Sequence, residues 1–209
     1  MKDSYLTVKN TASAEIEIKK SRFICNIKEV DNEEDAKSFI KDIKAKYSDA
    51  RHVCYAYICG ASGNNFKYSD GGEPQGTAGV PMLEALKNKN LTNVVATVTR
   101  YFGGILLGAG GLVRAYGDSV LEGVKVAKIK EYCRSAKMTT TLSYTLQPKF
   151  LNLLSNYKSK VLNVEYLNDG VKSTFVVECN SEEKIINLVS EISSGKSVAL
   201  KVEDCYFGY

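Results

Sequence analysis

The sequence contains no tryptophan, a single histidine and only three prolines in 209 residues. The lone histidine, His52, excludes a zinc site built on several imidazoles, and any Ser–His or Cys–His hydrolase would have to use it. No run approaches the roughly 20 apolar residues that a membrane-crossing helix needs. The opening residues lack the apolar core of a secretory leader, so a cytoplasmic protein with no membrane partner is expected. The six cysteines (Cys25, Cys54, Cys59, Cys133, Cys179 and Cys205) form no C-x-x-C pair and sit mostly inside apolar runs such as VCYAYIC and VVEC. They read as reduced, mostly buried thiols rather than as three disulfides. Neither a metal nor a cofactor is expected.

What is present is ordinary in bulk and uneven in distribution. With 44% hydrophobic and 25% charged residues the chain has enough apolar material for a core. The net charge is +4, and all of it lies in residues 1–136, because eight bases and eight acids cancel over 137–209. A modest positive excess permits a polyanionic partner without naming one. The glycines crowd between Gly60 and Gly123, with only Gly170, Gly195 and Gly208 beyond. Two compositions predict two domains, 1–134 and 135–209, joined near the polar stretch KIKEYCRSAK at 128–137.

In the first part, alternation of Ile16/Ile18 and then Phe23/Cys25/Ile27 predicts a strand pair. Asp31 or Asn32 is placed to cap a helix reaching residue 47, with Glu33, Glu34 and Asp35 in its first turn. A short apolar strand over 53–59, a polar loop over 60–79, a helix over 81–88, a buried strand over 93–101 and a helix over 112–127 follow. The second part reads strand 137–146, helix 148–158, strands 161–167 and 171–179 around an Asp169-Gly170 turn, helix 182–193 and strand 198–207. That order is βαββαβ, the ferredoxin-like arrangement.

Three segments carry chemistry. In YSDGGEPQGTAG, Asp70 and Glu73 stand among glycines, either as working carboxylates of a binding loop or as parts of a loop held by turns and helix caps. In TRYFGGILLGAGGLVRAYGDS, five glycines fill a strand-to-helix turn. Free amides at the helix start suit an anion, whereas tight packing alone also calls for glycine. Arg100 and Arg114 flank that turn, and Arg114 can instead pair with Asp118 one turn on. In RHVCYAYICG, His52 is either a general base or, better, a hydrogen-bonded structural residue. Cys54 and Cys59 fall on opposite strand faces and cannot clip one metal.

The ordered motifs KKSRFI, HVCYAY, YSDGGEPQGTAGVPMLEAL and VVATVTRYFGGILLGAGGLVRAYGDSV resemble the family called IMPACT in eukaryotes and YigZ in bacteria. The resemblance covers about residues 15–127, and the C-terminal region is similar to the small domain that follows in bacterial members. It implies an α+β protein: an α/β sandwich like the second domain of ribosomal protein S5, then a ferredoxin-like domain similar to the last domain of elongation factor G. The family usually reads DDGEP, whereas here Gly71 follows Asp70, which weakens a mechanism needing two adjacent aspartates on a metal. Eukaryotic relatives regulate translation by competing for an activator of a regulatory kinase.

Three functions follow as expectations. The first is a non-enzymatic factor binding RNA or the ribosome through Arg100, Tyr101, Gly103, Gly104, Gly108, Gly110, Gly111 and Arg114, helped by Lys67 and Tyr68. The second is a protein-interaction regulator of a translation or stress pathway. The third is a phosphate-ligand enzyme using Asp70 and Glu73, with the glycine-rich turn holding the phosphate. The loop residues typical of the family are His52, Asp70, Glu73, Pro74, Gly76 and Thr77.

Overall fold

The computed structural model describes residues 3–209. It forms two units, one ending at Glu131 and the other running Tyr132–Tyr209. The elements of the first are β1 (Ser4–Val8), β2 (Ala12–Ile18), β3 (Ser21–Glu29), α1 (Glu33–Lys46), β4 (His52–Cys59), β5 (Asn65–Ser69), α2 (Gly79–Asn88), β6 (Val94–Tyr101) and α3 (Ala109–Ala127). β7 (Ile129–Leu142) follows. The second unit continues through α4 (Gln147–Leu154), β8 (Ser159–Leu167), β9 (Gly170–Glu178), α5 (Glu182–Ser193) and β10 (Ala199–Phe207).

The first unit is built on an antiparallel sheet ordered β2-β3-β6-β4-β5. Strand alternation sorts its side chains onto two faces. Phe23, Cys25, Cys54, Ala56, Ala96 and Val98 pack under Met82 and Leu86 of α2 and Leu112, Tyr116, Val120 and Val124 of α3. Tyr57, Cys59 and Val95 point the other way, against Ala36 and Ile40 of α1. Helices on both faces explain why β6 is apolar or β-branched at nearly every position. α3 lies close because Gly123 has no side chain, and a Cβ there would fall 2.5 Å from the Cys25 sulfur. Asn32 caps α1 as its sequence predicts, accepting from the Asp35 amide at 2.9 Å.

In the second unit β7, β8, β9 and β10 form an antiparallel array ordered β10-β7-β9-β8. Met138, Phe150, Leu154, Phe175, Ile185 and Val189 make its core. Among the described residues, no helix is long and apolar enough to cross a membrane. All six cysteines are free thiols, four of them buried.

Several boundaries differ from the sequence reading. The segment 60–79 contains β5, because Phe66 and Tyr68 alternate with Lys67 and the strand satisfies the open edge of β4. Residues 129–137 of the polar stretch are part of β7, where small Cys133 and Ser135 are buried on either side of Arg134, a period of two hidden by charge. In the β8–β9 hairpin Leu167 pairs with Gly170, so the turn residues are Asn168 and Asp169. Gly170 instead lets the strand approach β7: a Cβ would lie 2.6 Å from the Leu142 carbonyl oxygen.

Candidate functional site

The site forms where β4 begins and β6 ends. Antiparallel register sets Arg100 opposite His52 on one side and opposite Phe23 on the other. Arg100 is nearly buried, and its Nη1 donates to both oxygens of Glu73 at 2.9 and 3.2 Å. Tyr116, from α3, donates its hydroxyl to Glu73 Oε1 at 2.8 Å. A buried carboxylate that accepts from an arginine and a phenol ties the 70–79 loop to β6 and α3 at once. Burial first, then the Cys54 and Glu73 neighbours, pushes the Tyr116 hydroxyl far up, so it stays a proton donor to Glu73.

The loop itself is held from within. The Asp70 carboxylate accepts the amides of Gly76, Ala78 and Gly79 at 3.0, 3.1 and 2.8 Å. Partial burial acts to raise its pKa, but these three amides outweigh burial and hold it below the usual aspartate value. Thr77 donates to the Pro74 carbonyl at 2.7 Å. His52 Nδ1 lies 3.2 Å from the Gly71 carbonyl oxygen, and the Cys54 thiol donates to the Asp70 carbonyl at 2.9 Å. Burial pushes that thiol up to about 12, so it is no thiolate nucleophile at neutral pH.

Outside this buried cluster lies a cleft of about 460 Å³ lined by Arg51, His52, Arg100, Phe102 and Leu106. Phe102 is 55% exposed and Leu106 81% exposed, with Ile105 beside them at 43%. The Arg100 guanidinium lies 5.5 Å from the Phe102 ring centre and 5.5 Å from that of Phe23. The β2–β3 turn, Lys19-Lys20, abuts the loop at backbone distance, since a Cβ on Gly103 would fall 2.0 Å from the Lys20 carbonyl carbon. Both turn lysines are exposed and adopt positive φ.

Residues 19–124 match the Impact N-terminal domain, and residues 140–196 match a domain of unknown function, DUF1949. The chain is 44% identical over 201 residues to the IMPACT family member YvyE of Bacillus subtilis, covering 94% of this chain and 90% of that one. It is 37% identical to an IMPACT family member of Haemophilus influenzae (95% and 97% covered) and 40% identical to YigZ of Escherichia coli (72% and 74%). A solved structure described as that of a hypothetical protein superposes with a TM-score of 0.64 at 33% identity, over 97% of this chain and 99% of the other. The chain belongs to the IMPACT family.

With the IMPACT motifs placed, the individual residues separate into groups. Glu73, Arg100 and His52 share one place, but the two carboxylates and Arg100 are engaged in holding the loop. Tyr101 follows Arg100 in the strand and so faces the opposite side, where its hydroxyl donates to Asp49 at 2.8 Å. Lys67 also faces that other side and ion-pairs with Glu33 at 2.7 Å. Hydrogen bonds from Lys37 and then Lys67 hold the Glu33 carboxyl down at about 2. Tyr68 is on the Arg100 face of the sheet, beside Gly79 and half exposed. Arg114 is exposed, does not line the cleft, and turns back to its own helix, Nε donating to the Gly110 carbonyl at 3.3 Å rather than pairing with Asp118.

The glycines divide by cause. Gly103 is required by the Lys20 backbone, whereas Gly104 and Gly108 have φ of 86° and 72°. A side chain on Gly110 would meet nothing, and one on Gly111 only Leu107. Gly71, where the family usually has a second aspartate, has φ of 56° and passes so near β4 that a Cβ would lie 2.4 Å from the Val53 carbonyl oxygen. The IMPACT loop of this chain therefore runs closer to the sheet than an aspartate permits.

Arg51, Phe102, Leu106 and Tyr116 were not among the residues singled out from the sequence. The available signal was a run of bulky apolar residues, FGGILL, inside a glycine-rich connection, where they have no strand or helix face to cover. In the second unit, Cys179, Glu182 and Asp204 lie near enough to share an ion. Lys201 already pairs with Glu182 at 3.0 Å and with Asp204 at 2.8 Å, and burial pushes the Cys179 thiol up to about 11. That cluster is an ion-pair network.

Proposed function

We propose that this IMPACT-family protein is a cytoplasmic, translation-associated regulatory factor that binds RNA, free or on the ribosome, at the cleft beside the glycine-rich turn. The observation that carries the reading is the joint exposure of cations and an aromatic ring there: Arg51 and Phe102 line the cleft, and the exposed Lys19-Lys20 turn packs against Gly103, the residue after Phe102. Cations hold phosphate and aromatic rings stack on unpaired bases. The charge distribution supports it. Arg51 and His52 stand at the start of β4, while its far end, Cys59 and Gly60, borders a cavity lined by Asp31, Glu33 and Glu34. Eight strand residues separate the two by roughly 25 Å. A polyanion is drawn to one end of the sheet and repelled from the other.

The architecture is consistent with this assignment. Helices over an antiparallel sheet support an S5 domain 2-like first domain, and βαββαβ with strand order β10-β7-β9-β8 supports a ferredoxin-like second domain. The enzymatic alternative is weakened, because Asp70 and Glu73 are both tied into the loop and its buried cluster. At this cleft a protein partner is favoured by the exposed Ile105 and Leu106. Co-sedimentation with ribosomes at low salt, repeated after nuclease treatment, tests the reading. Nuclease-sensitive co-sedimentation is expected, and its absence at low salt refutes it.

A further inference from the structure

The cleft has the shape and chemistry of a smaller and more specific site than a phosphate-binding surface. We infer that it accepts one nucleotide unit, the base laid on Phe102 and the phosphate against Arg51. The RNA reading above supplies the source of that nucleotide, but the subsite is argued from its own geometry.

A volume of about 460 Å³ lies within the range of pockets that enclose small organic ligands, about 300–1,000 Å³. The convex outside of a duplex offers nothing to fill such a recess, whereas a splayed-out nucleotide does. Phe102 directly follows the β6 ladder, so its backbone is anchored by the β3 and β4 pairings. The Arg100 guanidinium supports the ring, and the ring remains 55% exposed. Leu106 gives the recess a second apolar surface. This is what a stacking platform requires: a fixed aromatic ring with one free face, in place before the ligand arrives.

The polar groups sort as donors and one acceptor. A carbonyl only accepts, so His52 Nδ1 carries the hydrogen that points at Gly71, which leaves Nε2, whenever it carries no hydrogen, to accept from a base N–H or a ribose hydroxyl. Arg100 is neutralised by Glu73, so it supports the ring without adding net charge. The free positive charge of the recess is Arg51, exposed and, among the described residues, in no ion pair. Lys19 and Lys20, on the turn packed against Gly103, extend that charge along the path of a strand.

The absence of tryptophan from the chain provides a direct probe. Phe102→Trp introduces a single indole whose fluorescence is quenched when a base stacks on it. The titrants are guanosine and adenosine monophosphates, an eight-nucleotide single-stranded purine RNA, and the same RNA as a duplex. RNA binding is followed separately by anisotropy of a labelled oligonucleotide. Saturable quenching by the single strand, little by the duplex, and a roughly five- to hundred-fold loss of affinity in Phe102→Ala with Phe102→Tyr near wild type are expected. Quenching by free nucleotide without RNA binding keeps the subsite and removes the RNA reading. RNA binding with no quenching and no loss in Phe102→Ala keeps the RNA reading and overturns the subsite. Silence in both assays overturns both.

Discussion

Removing one partner of the Glu73–Arg100 pair should unfold the first unit far more readily than its small contact area suggests. The side chains of Arg100 and Glu73 are 8% and 3% exposed, so neither charge can turn to water when the other is lost. Breaking such a pair costs about 3–5 kcal/mol, and Glu73→Ala also strands the Tyr116 hydroxyl, adding about 1 kcal/mol. At about 3–4 °C per kcal/mol for a unit of this size, the midpoint of Glu73→Ala should fall by about 12–24 °C. The double variant Glu73→Leu/Arg100→Met removes both charges together and should recover most of that loss, because two apolar groups replace a pair whose desolvation was costly. Thermal unfolding by circular dichroism and tyrosine fluorescence measures all three proteins. A loss below about 1 kcal/mol in Glu73→Ala, the behaviour of an exposed pair, refutes the argument. A double variant no more stable than Glu73→Ala refutes it equally.

Further outcomes follow from the same geometry. Asp70 has a depressed pKa, so its contribution is fully present above the ordinary aspartate value and is lost as pH falls through the folded-state value. Asp70→Asn should lower stability at pH 7 and flatten the acid limb of the stability curve, as read by urea midpoints across pH. Gly103→Ala should fail to fold or be strongly destabilised by collision with the Lys20 backbone, while Gly110→Ala, in open space on α3, should be neutral or stabilising by up to about 1 kcal/mol. In the native protein Cys179 and Cys205, the two partly exposed thiols, should react first with a thiol reagent, and slowly at neutral pH because burial raises both, whereas Cys25, pushed up to about 12 by burial, waits for unfolding.

Much of the fold was legible because its signals are local. The Asn32 cap with three acids behind it, the β-branched run of β6 and the apolar face of α5 each identify their element without help from the rest of the chain. β5 and residues 133–137 of β7 were not, because both are polar strand segments whose reason to exist is a neighbour: the open edge of β4 for one, and β10 and then β9 for the other. The site was legible in its motifs but not in its division of labour. Sequence adjacency grouped Arg100 with Tyr101 and Lys67 with Tyr68, and strand alternation sends each pair to opposite faces. Nor does the sequence reveal that Glu73 and Arg100 pair with each other. That pairing moves the exposed charge to Arg51 and leaves Phe102 as the ring that faces solvent.

The central claim is that the cations beside Phe102 bind RNA phosphate, and the most direct measurement is the salt dependence of single-stranded RNA affinity. Wild-type protein should bind at low salt with a falling log–log slope, and the triple variant Lys19→Gln/Lys20→Gln/Arg51→Gln should lose about two units of that slope, as three released counterions require. An unchanged slope in the triple variant, or no binding by the wild type at low salt, contradicts the account.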